Sequence, residues 1–338
     1  MSRWADNPEA AADALILRSL DDIAIDGRVL LVNQGGALPS RLQARGLAPA
    51  VWNRRLARGL PAAPWPPSGP FAIAFVRLPK ARDEQAMIMH AALSVLRAGG
   101  RLILYGGNDE GIRSAAALLA EISQEAETIA ARGHGRVLTA QRSEGADKLQ
   151  GTLNAWRSVA RIEIGGRTRD WLSYPGTFAA GRLDEGTALL INALPSLAAG
   201  ARVLDYGCGT GEIAAAALAL QPSLTIDALD NDAVALQAAR ENVPVARLVL
   251  GTGVADAGRR NYDAILSNPP LHLGIAEDHA LIERLVADAP SHLAPGGVLQ
   301  VVVQRRVPLE RMLARQFAKV EIVAQTGTYR VWRARGPG

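Results

Sequence analysis

The chain has 338 residues, 49% of them hydrophobic and 4% aromatic, with 37 basic and 33 acidic side chains and a formal net charge of +4. That length suits two domains with cores of their own, the single cysteine, Cys208, excludes a disulfide framework and a cysteine-based zinc site, and no apolar run reaches the ~18 residues of a membrane span. Lys80, Lys148 and Lys319 are the only lysines, so the basic charge is nearly all arginine. Arginine holds phosphate with a bidentate fork, which allows an RNA partner without proving one. The polar, acidic start from Met1 to Asp13 carries no leader signal. A soluble, cytoplasmic, monomeric protein without a metal or a membrane partner is the expectation.

In chain order, Gly27 to Gly36 reads as an apolar strand running into a glycine pair, Pro64 to Pro70 as a rigid loop, Phe71 to Lys80 as a second strand with its turn, and Leu96 to Leu104 as a third. A polar, weakly patterned join lies between Gly145 and Trp171. Beyond it, strands are predicted at Val203-Leu204, Leu224–Leu229, Ala264–Leu266 and Val298–Val303. Helices are predicted over Glu212–Leu220, Ala233–Asn242 and His279–His292, the last ended by Gly296-Gly297. The tail, Lys319–Val323 and Thr328–Arg333, reads as a closing hairpin. Gly27–Gly36 matches Ala201–Gly209, Phe71–Lys80 matches Tyr262–Leu271, and Leu96–Leu104 matches Leu293–Val301, at offsets of 174, 191 and 197. Three matches in the same order indicate a diverged duplication. Strands alternating with helices imply an α/β fold with two doubly wound, largely parallel sheets.

The segment Asp205-Tyr-Gly-Cys-Gly-Thr-Gly211 carries the first chemistry. Gly207, Gly209 and Gly211 let the backbone turn tightly and approach a ligand, and the helix from Glu212 offers its free N–H groups to an anionic moiety. The spacing is Gly-x-Gly-x-Gly, unlike a dinucleotide loop. With Asp205 in front it resembles motif I of class I S-adenosylmethionine methyltransferases. Asp230, nineteen residues past Gly211, is placed to take both ribose hydroxyls of the donor, and Asp256 is the candidate for the adenine amine.

The second chemistry lies in Asn268-Pro269-Pro270, after an apolar strand. In the same superfamily such a turn resembles the signature for methylating a planar nitrogen. The Asn268 side-chain oxygen and the Pro269 carbonyl can each accept one N–H of an exocyclic amine, which aims its lone pair at the methyl carbon, while consecutive prolines hold both acceptors still. Pro270 completes the turn. Leu271 stands where an aromatic usually stacks on the base; Phe178 is the candidate to supply that ring, and His272 to contact the target or its phosphate.

The stretch Tyr174 to Gly186, the run Asn268 to Gly274 and the ending Val323 to Ala334 together resemble the bacterial 16S ribosomal RNA guanine-N2 methyltransferases of the RsmC type. That resemblance implies two tandem Rossmann-like methyltransferase domains. Residues 1–160 are the degenerate one, for support and RNA docking: Asn33 to Gly36 lacks the acid and third glycine, and Arg77-Leu78-Pro79 lacks the acceptors. Residues 161–338 are the catalytic one, with S-adenosylmethionine as cofactor and ribosomal RNA of the small subunit as partner. Family members usually have a polar residue near the position that Gly253 occupies here. Phe178 and Asp184 would lie on a segment covering the donor pocket, although Asp184 equally reads as a helix N-cap. Arg167, Arg169, Arg305, Arg306, Arg330 and Arg333 are candidates for phosphate contacts. The rival readings are another planar nitrogen (guanine in 23S RNA, adenine N6, a protein glutamine) or a non-catalytic RNA-binding protein on the same fold.

Overall fold

The computed structural model describes residues 8–34, 36–56, 60–144, 148–269 and 275–337. The chain divides into two compact units, Met1–Arg157 and Ser158–Gly338.

The first unit runs α1 (Pro8–Ser19), β1 (Val29–Val32), α2 (Leu38–Gln43), β2 (Ala50–Trp52), β3 (Phe71–Arg77), α3 (Arg82–Ser94), β4 (Leu96–Gly107), α4 (Ile112–Ile122), β5 (Gln124–Arg132) and β6 (Gly135–Gln141). Its sheet has the order β2-β1-β3-β4-β6-β5; the first four strands are parallel, and β6 and β5 are antiparallel to their neighbours. The second unit opens with a hairpin, β7 (Ser158–Ile164) and β8 (Arg167–Ser173), followed by α5 (Glu185–Asn192), β9 (Arg202–Tyr206), α6 (Glu212–Leu220), β10 (Thr225–Asp230), α7 (Ala233–Asn242), β11 (Arg247–Leu250), β12 (Tyr262–Ser267), α8 (Ile275–Asp288), β13 (Leu293–Gln304), α9 (Leu309–Leu313), β14 (Phe317–Gln325) and β15 (Tyr329–Pro337). Its sheet has the order β11-β10-β9-β12-β13-β15-β14. Set β1 against β9, β3 against β12 and β4 against β13, and the two orders agree, with β11 as an extra edge strand in the second unit. Both units therefore share the α/β, doubly wound plan.

Near-continuous apolar strands follow from burial on both faces. Along the strands of the second unit the side chains alternate between two cores. Val203, Ala264, Leu266, Val302 and Val331 pack with α6 and with Ile162, Ile164 and Trp171 of the hairpin. Leu204, Ile265, Leu299, Val301 and Trp332 pack with Ile282 and Leu285 of α8 and Leu309 of α9. Among the described residues no helix is long and apolar enough to cross a membrane.

Two expectations change. First, the weakly patterned join contains the β7–β8 hairpin. Its outer face is polar because only one face packs, and Gly165-Gly166, with φ of +60° and +71°, makes the two-residue turn. Second, Gly296-Gly297 does not end a helix at His292. The helix stops at Asp288, where Pro290 enters a short 3-10 turn, and the glycine pair lies inside β13. A Cβ on Gly297 would lie 2.7 Å from the Tyr262 carbonyl oxygen, and the β12–β13 register shifts there. Gly100 stands in the matching place in β4, beside a matching shift against β3. The glycines mark a close strand approach in both units.

A buried acid secures the edge of the second sheet. Asp227 of β10, 1% exposed, accepts both Nε and Nη2 of Arg247 from β11 at 2.8 Å and the Tyr262 hydroxyl from β12 at 2.6 Å. Burial alone would raise its carboxyl, but the hydrogen bonds from Arg247 and Tyr262 hold it below the ordinary value. Asp227→Ala leaves the buried Tyr262 hydroxyl without its acceptor and is expected to cost about 2 kcal/mol, the scale of an unsatisfied buried polar group; an unchanged urea midpoint would refute that role.

Candidate functional site

Parallel pairing sets the site. β9 lies between β10 and β12, with Asp205 opposite Ala228 on one side and Leu266 on the other. The turns after β9, β10 and β12 therefore emerge side by side at the carboxyl end of the sheet, where ligands bind in folds of this type.

After β9 the chain turns through Gly207, Gly209 and Gly211, with φ of +71°, +55° and +100°. Their surroundings differ. A Cβ on Gly207 would meet nothing within 4 Å, and one on Gly209 only Glu212 Oε2 at 4.0 Å, so these two face open space. A Cβ on Gly211 would stand 2.8 Å from Val243 Cγ2, so this glycine serves the packing of α6 against α7. Asp205 is wholly buried and its Oδ2 accepts the Ala214 N–H at 3.0 Å, which caps the first turn of α6. Its Oδ1 is buried without a hydrogen-bond partner among the described residues. Burial pushes the Asp205 carboxyl up to about 8, against the pull of the Ala214 N–H and with help from the Glu212 and Asp230 carboxylates. At neutral pH the carboxyl is therefore largely protonated, and its buried Oδ1 is a polar group that a ligand at the loop can satisfy.

Asp230 closes β10. Its Oδ2 accepts the Gly209 N–H at 2.8 Å and its Oδ1 the Asp232 N–H at 2.9 Å. The acid thus braces the glycine loop. Asp256 lies in the 3-10 turn Val254–Ala257, where its Oδ2 accepts the Thr252 and Gly253 N–H groups at 2.7 and 3.0 Å. It shapes the loop whose tip, Gly253, carries no side chain.

Asn268 and Pro269 follow β12, the first half-buried and the second buried. Ser267 anchors the turn, its hydroxyl donating to the Tyr206 carbonyl at 2.8 Å, so the acceptor turn and the donor loop share a hydrogen bond. The Asn268 amide nitrogen donates to Asp184 Oδ2 at 3.1 Å and to Thr187 Oγ1 at 2.8 Å. Asp184 is also the N-cap of α5, accepting the Thr187 N–H at 3.0 Å. Both readings of Asp184, cap and site, therefore meet in one carboxylate. Phe178 stands 44% exposed on the turn Phe178–Gly181. Pro270, Leu271 and His272 lie outside the described residues.

Several side chains that sequence reasoning passed over hold this arrangement. Trp171 of the hairpin donates from Nε1 to Thr210 Oγ1 at 2.9 Å and Glu212 Oε1 at 3.1 Å. The Asn242 amide bridges the Leu172 N–H and carbonyl and donates to the Thr210 carbonyl at 3.0 Å. Together they latch the hairpin to the donor loop. Thr187 was also missed. In the sequence it is one more helical residue, and only its distance to Asn268 reveals it. Among the phosphate candidates, Arg333 is tied down internally, giving Nε to Gln300 Oε1 at 2.7 Å and Nη2 to the Ala193 carbonyl at 3.0 Å.

Comparison with known proteins agrees with this layout. Residues 169–333 match the methyltransferase small domain family, and residues 57–157 match the methyltransferase small domain N-terminal family. Among solved structures, a T. thermophilus 16S rRNA N2 methyltransferase in complex with AdoMet and guanosine superposes with a TM-score of 0.82, covering 98% of this chain and 93% of its own; at 23% identity, this likeness speaks for the fold. The ribosomal RNA small subunit methyltransferase C of Shewanella halifaxensis is 31% identical over 266 residues, 78% of this chain and 76% of that protein. The protein of the same name from Psychromonas ingrahamii is 31% identical over 264 residues, 77% of this chain and 75% of its own. The chain belongs to the ribosomal RNA small subunit methyltransferase C family.

Proposed function

We propose that the second unit transfers a methyl group from S-adenosylmethionine to the exocyclic N2 amine of a guanine in 16S ribosomal RNA of the small subunit, as a cytoplasmic, monomeric enzyme. The observation that carries this reading is the junction of β9 and β12, which sets the Gly207–Gly209 loop directly beside Asn268 and Pro269. The relatives' names supply the substrate class.

S-adenosylmethionine, when bound, supplies a methyl carbon made electrophilic by the attached sulfonium. The residues present fit it. Gly207 and Gly209 leave room for close backbone approach, and Asp230, at the end of β10 beside that loop, takes the ribose hydroxyls. Asp205 Oδ1, without a partner among the described residues, is a buried polar group for the ligand to satisfy. Asp256, through its hold on Thr252 and Gly253, shapes the adenine end. On the acceptor side Asn268 Oδ1 and the Pro269 carbonyl each accept one N–H of the guanine amine. This draws the nitrogen lone pair out of conjugation and orients it, so that positioning supplies most of the rate. No strongly basic residue is required, since the amine proton leaves after transfer. Phe178 supplies the ring that stacks on the base, and Pro270, Leu271 and His272 are assigned to the acceptor side by the resemblance alone.

The first unit is proposed to dock RNA and to have lost the chemistry. Leu31 stands where the second unit has Asp205, and Arg77 stands where it has Asn268. Arg77 is consumed internally, its two Nη atoms forking Glu110 at 2.7 and 2.8 Å and its Nε facing Asp13 at 3.4 Å. The charge is also partitioned: Met1–Arg157 holds 19 basic and 15 acidic side chains, while Ser158–Gly338 holds 18 of each. Arg113 and Arg136 converge on Asn108 Oδ1 at 3.3 and 3.0 Å beside a cavity of about 360 Å³, and among the described residues neither pairs with a carboxylate. Two arginines gathered on an uncharged amide suit backbone phosphate.

The deciding experiment offers labelled S-adenosylmethionine with small subunits lacking the modification, large subunits and naked RNA, followed by nucleoside analysis. Label in N2-methylguanosine from the small subunit is expected; label in another nucleoside or in protein would discard the substrate, and none despite donor binding would discard the activity. Asn268→Ala is expected to cut turnover at least ~100-fold with donor affinity nearly intact, whereas Asp230→Ala should weaken donor binding; calorimetry and single-turnover assays that found the reverse pattern would refute both assignments. Arg113→Ala with Arg136→Ala should raise the RNA KM, leave kcat unchanged and lower the slope of log affinity against log salt by about 2; an unaltered slope would remove this docking site.

A further inference from the structure

The Asn268 side chain has two possible orientations that differ only in which end, oxygen or NH2, faces the acceptor. Only one presents an oxygen. Resting on the reading that Asn268 Oδ1 receives an amine N–H, we propose that Asp184 and Thr187 are positioning residues that lock this amide with its oxygen toward the acceptor, and that the lock is what makes the site select an amine.

The hydrogen-bond inventory fixes the orientation. The two hydrogens of Nδ2 are matched by two acceptors, Asp184 Oδ2 at 3.1 Å and Thr187 Oγ1 at 2.8 Å. An ionised carboxylate can only accept. Turning the amide over would bring Asn268 Oδ1 against Asp184 Oδ2, two acceptors with no proton between them, and would forfeit a charge-assisted bond. It would also present NH2 to the acceptor, which suits a carbonyl oxygen or an unprotonated ring nitrogen and repels an amine. Selection of N–H over a bare lone pair is therefore decided two residues away from the substrate.

The partners are themselves held. Asp184 Oδ2 receives the Thr187 N–H at 3.0 Å, so the same carboxylate that orients Asn268 caps α5 and is set by its backbone. Thr187 is buried, 6% exposed, in the first turn of that helix. At the other end of the helix, the Ala193 carbonyl receives Gln300 Nε2 at 2.8 Å and Arg333 Nη2 at 3.0 Å. An eight-residue helix pinned at both ends is a rigid support for a one-sided amide. The pin also binds two parts of the sequence that are 84 residues apart.

The test separates orientation from folding. Asp184→Ser keeps an N-cap of similar quality but is too short to reach Asn268, and Thr187→Val keeps the shape and removes the acceptor. Each is expected to lower kcat about 10-fold or more, with S-adenosylmethionine affinity, RNA KM and the thermal midpoint close to those of the parent chain. Thr187→Ser, which retains the hydroxyl, should recover most of the rate. In an Asn268→Ala background the Asp184→Ser and Thr187→Val substitutions should cost nothing further, because the group they orient is gone. Full activity of both single variants beside a crippled Asn268→Ala overturns the lock and leaves the acceptor reading standing. Additive losses in the Asn268→Ala background overturn the lock as well. Full activity of Asn268→Ala itself overturns the acceptor reading from which the lock was argued.

Discussion

Everything at the proposed site depends on the parallel pairing of β9 with β12. Because Asp205 and Leu266 are register partners, both strands end at the same level, and the Ser267 hydroxyl joins the two following turns through the Tyr206 carbonyl. A donor held by the first turn and an amine held by the second are then adjacent without any further device. The apolar strands that make this pairing stable are buried on both faces, so a slip in register would cost the sheet both of its cores. The chemistry is thus placed by the same packing that stabilises the fold.

That placement has an electrostatic cost concentrated at the glycine loop. Asp205, Glu212 and Asp230 gather acidic charge around a buried turn. Burial raises both Asp205 and Glu212, and the Cys208 thiol between them is pushed well above its ordinary value. Part of the strain is relieved locally: Glu212 receives Thr210 and Trp171, and Asp230 receives two backbone N–H groups. Asp205 Oδ1 receives nothing among the described residues. A buried, polar and incompletely satisfied region beside the Asp230 carboxylate is arranged for a ligand carrying hydrogen-bonding groups, which is the character of a sulfonium compound with an amino group and a ribose. Burial, with the neighbouring acids adding to it, keeps the Cys208 thiol protonated at neutral pH and forbids it a nucleophilic role.

What was legible in the sequence is what local chemistry dictates. Glycines with positive φ, an acid at the end of each of two strands, and a proline turn after a third leave marks at fixed spacing, and α6 and α7 begin and end where capping and periodicity place them. What was hidden depends on distant contacts. The β7–β8 hairpin looked like a linker because one of its faces is polar, and its signal, Gly165-Gly166, is short. Gly296-Gly297 suggested a helix stop but serves a close passage beside Tyr262, which only the neighbouring strand explains. Asp184 was readable as a cap, yet that it also reaches Asn268 cannot be seen from either residue's neighbours, and Thr187 and Asn242 have no local signature at all.

The duplication shows how a site of this kind is dismantled while its scaffold survives. Asn33 keeps φ at +56° in the place of Gly207, the left-handed conformation that asparagine tolerates better than most residues, so the turn after β1 persists. The acid before it has become Leu31, buried in the core, and Gln34 fills the turn by donating to the Val32 and Phe75 carbonyls and accepting the Tyr105 hydroxyl. Arg77 replaces the amide that would accept an amine with a cation that only donates, and Glu110 neutralises it. Gln34 and Arg77 thus find their partners inside the protein. Satisfying those groups stabilises the first unit, whereas Asp205 Oδ1 of the second unit has no partner among the described residues. The two halves of one chain thus contrast a turn filled by Gln34 with a turn left open at Gly207 and Gly209.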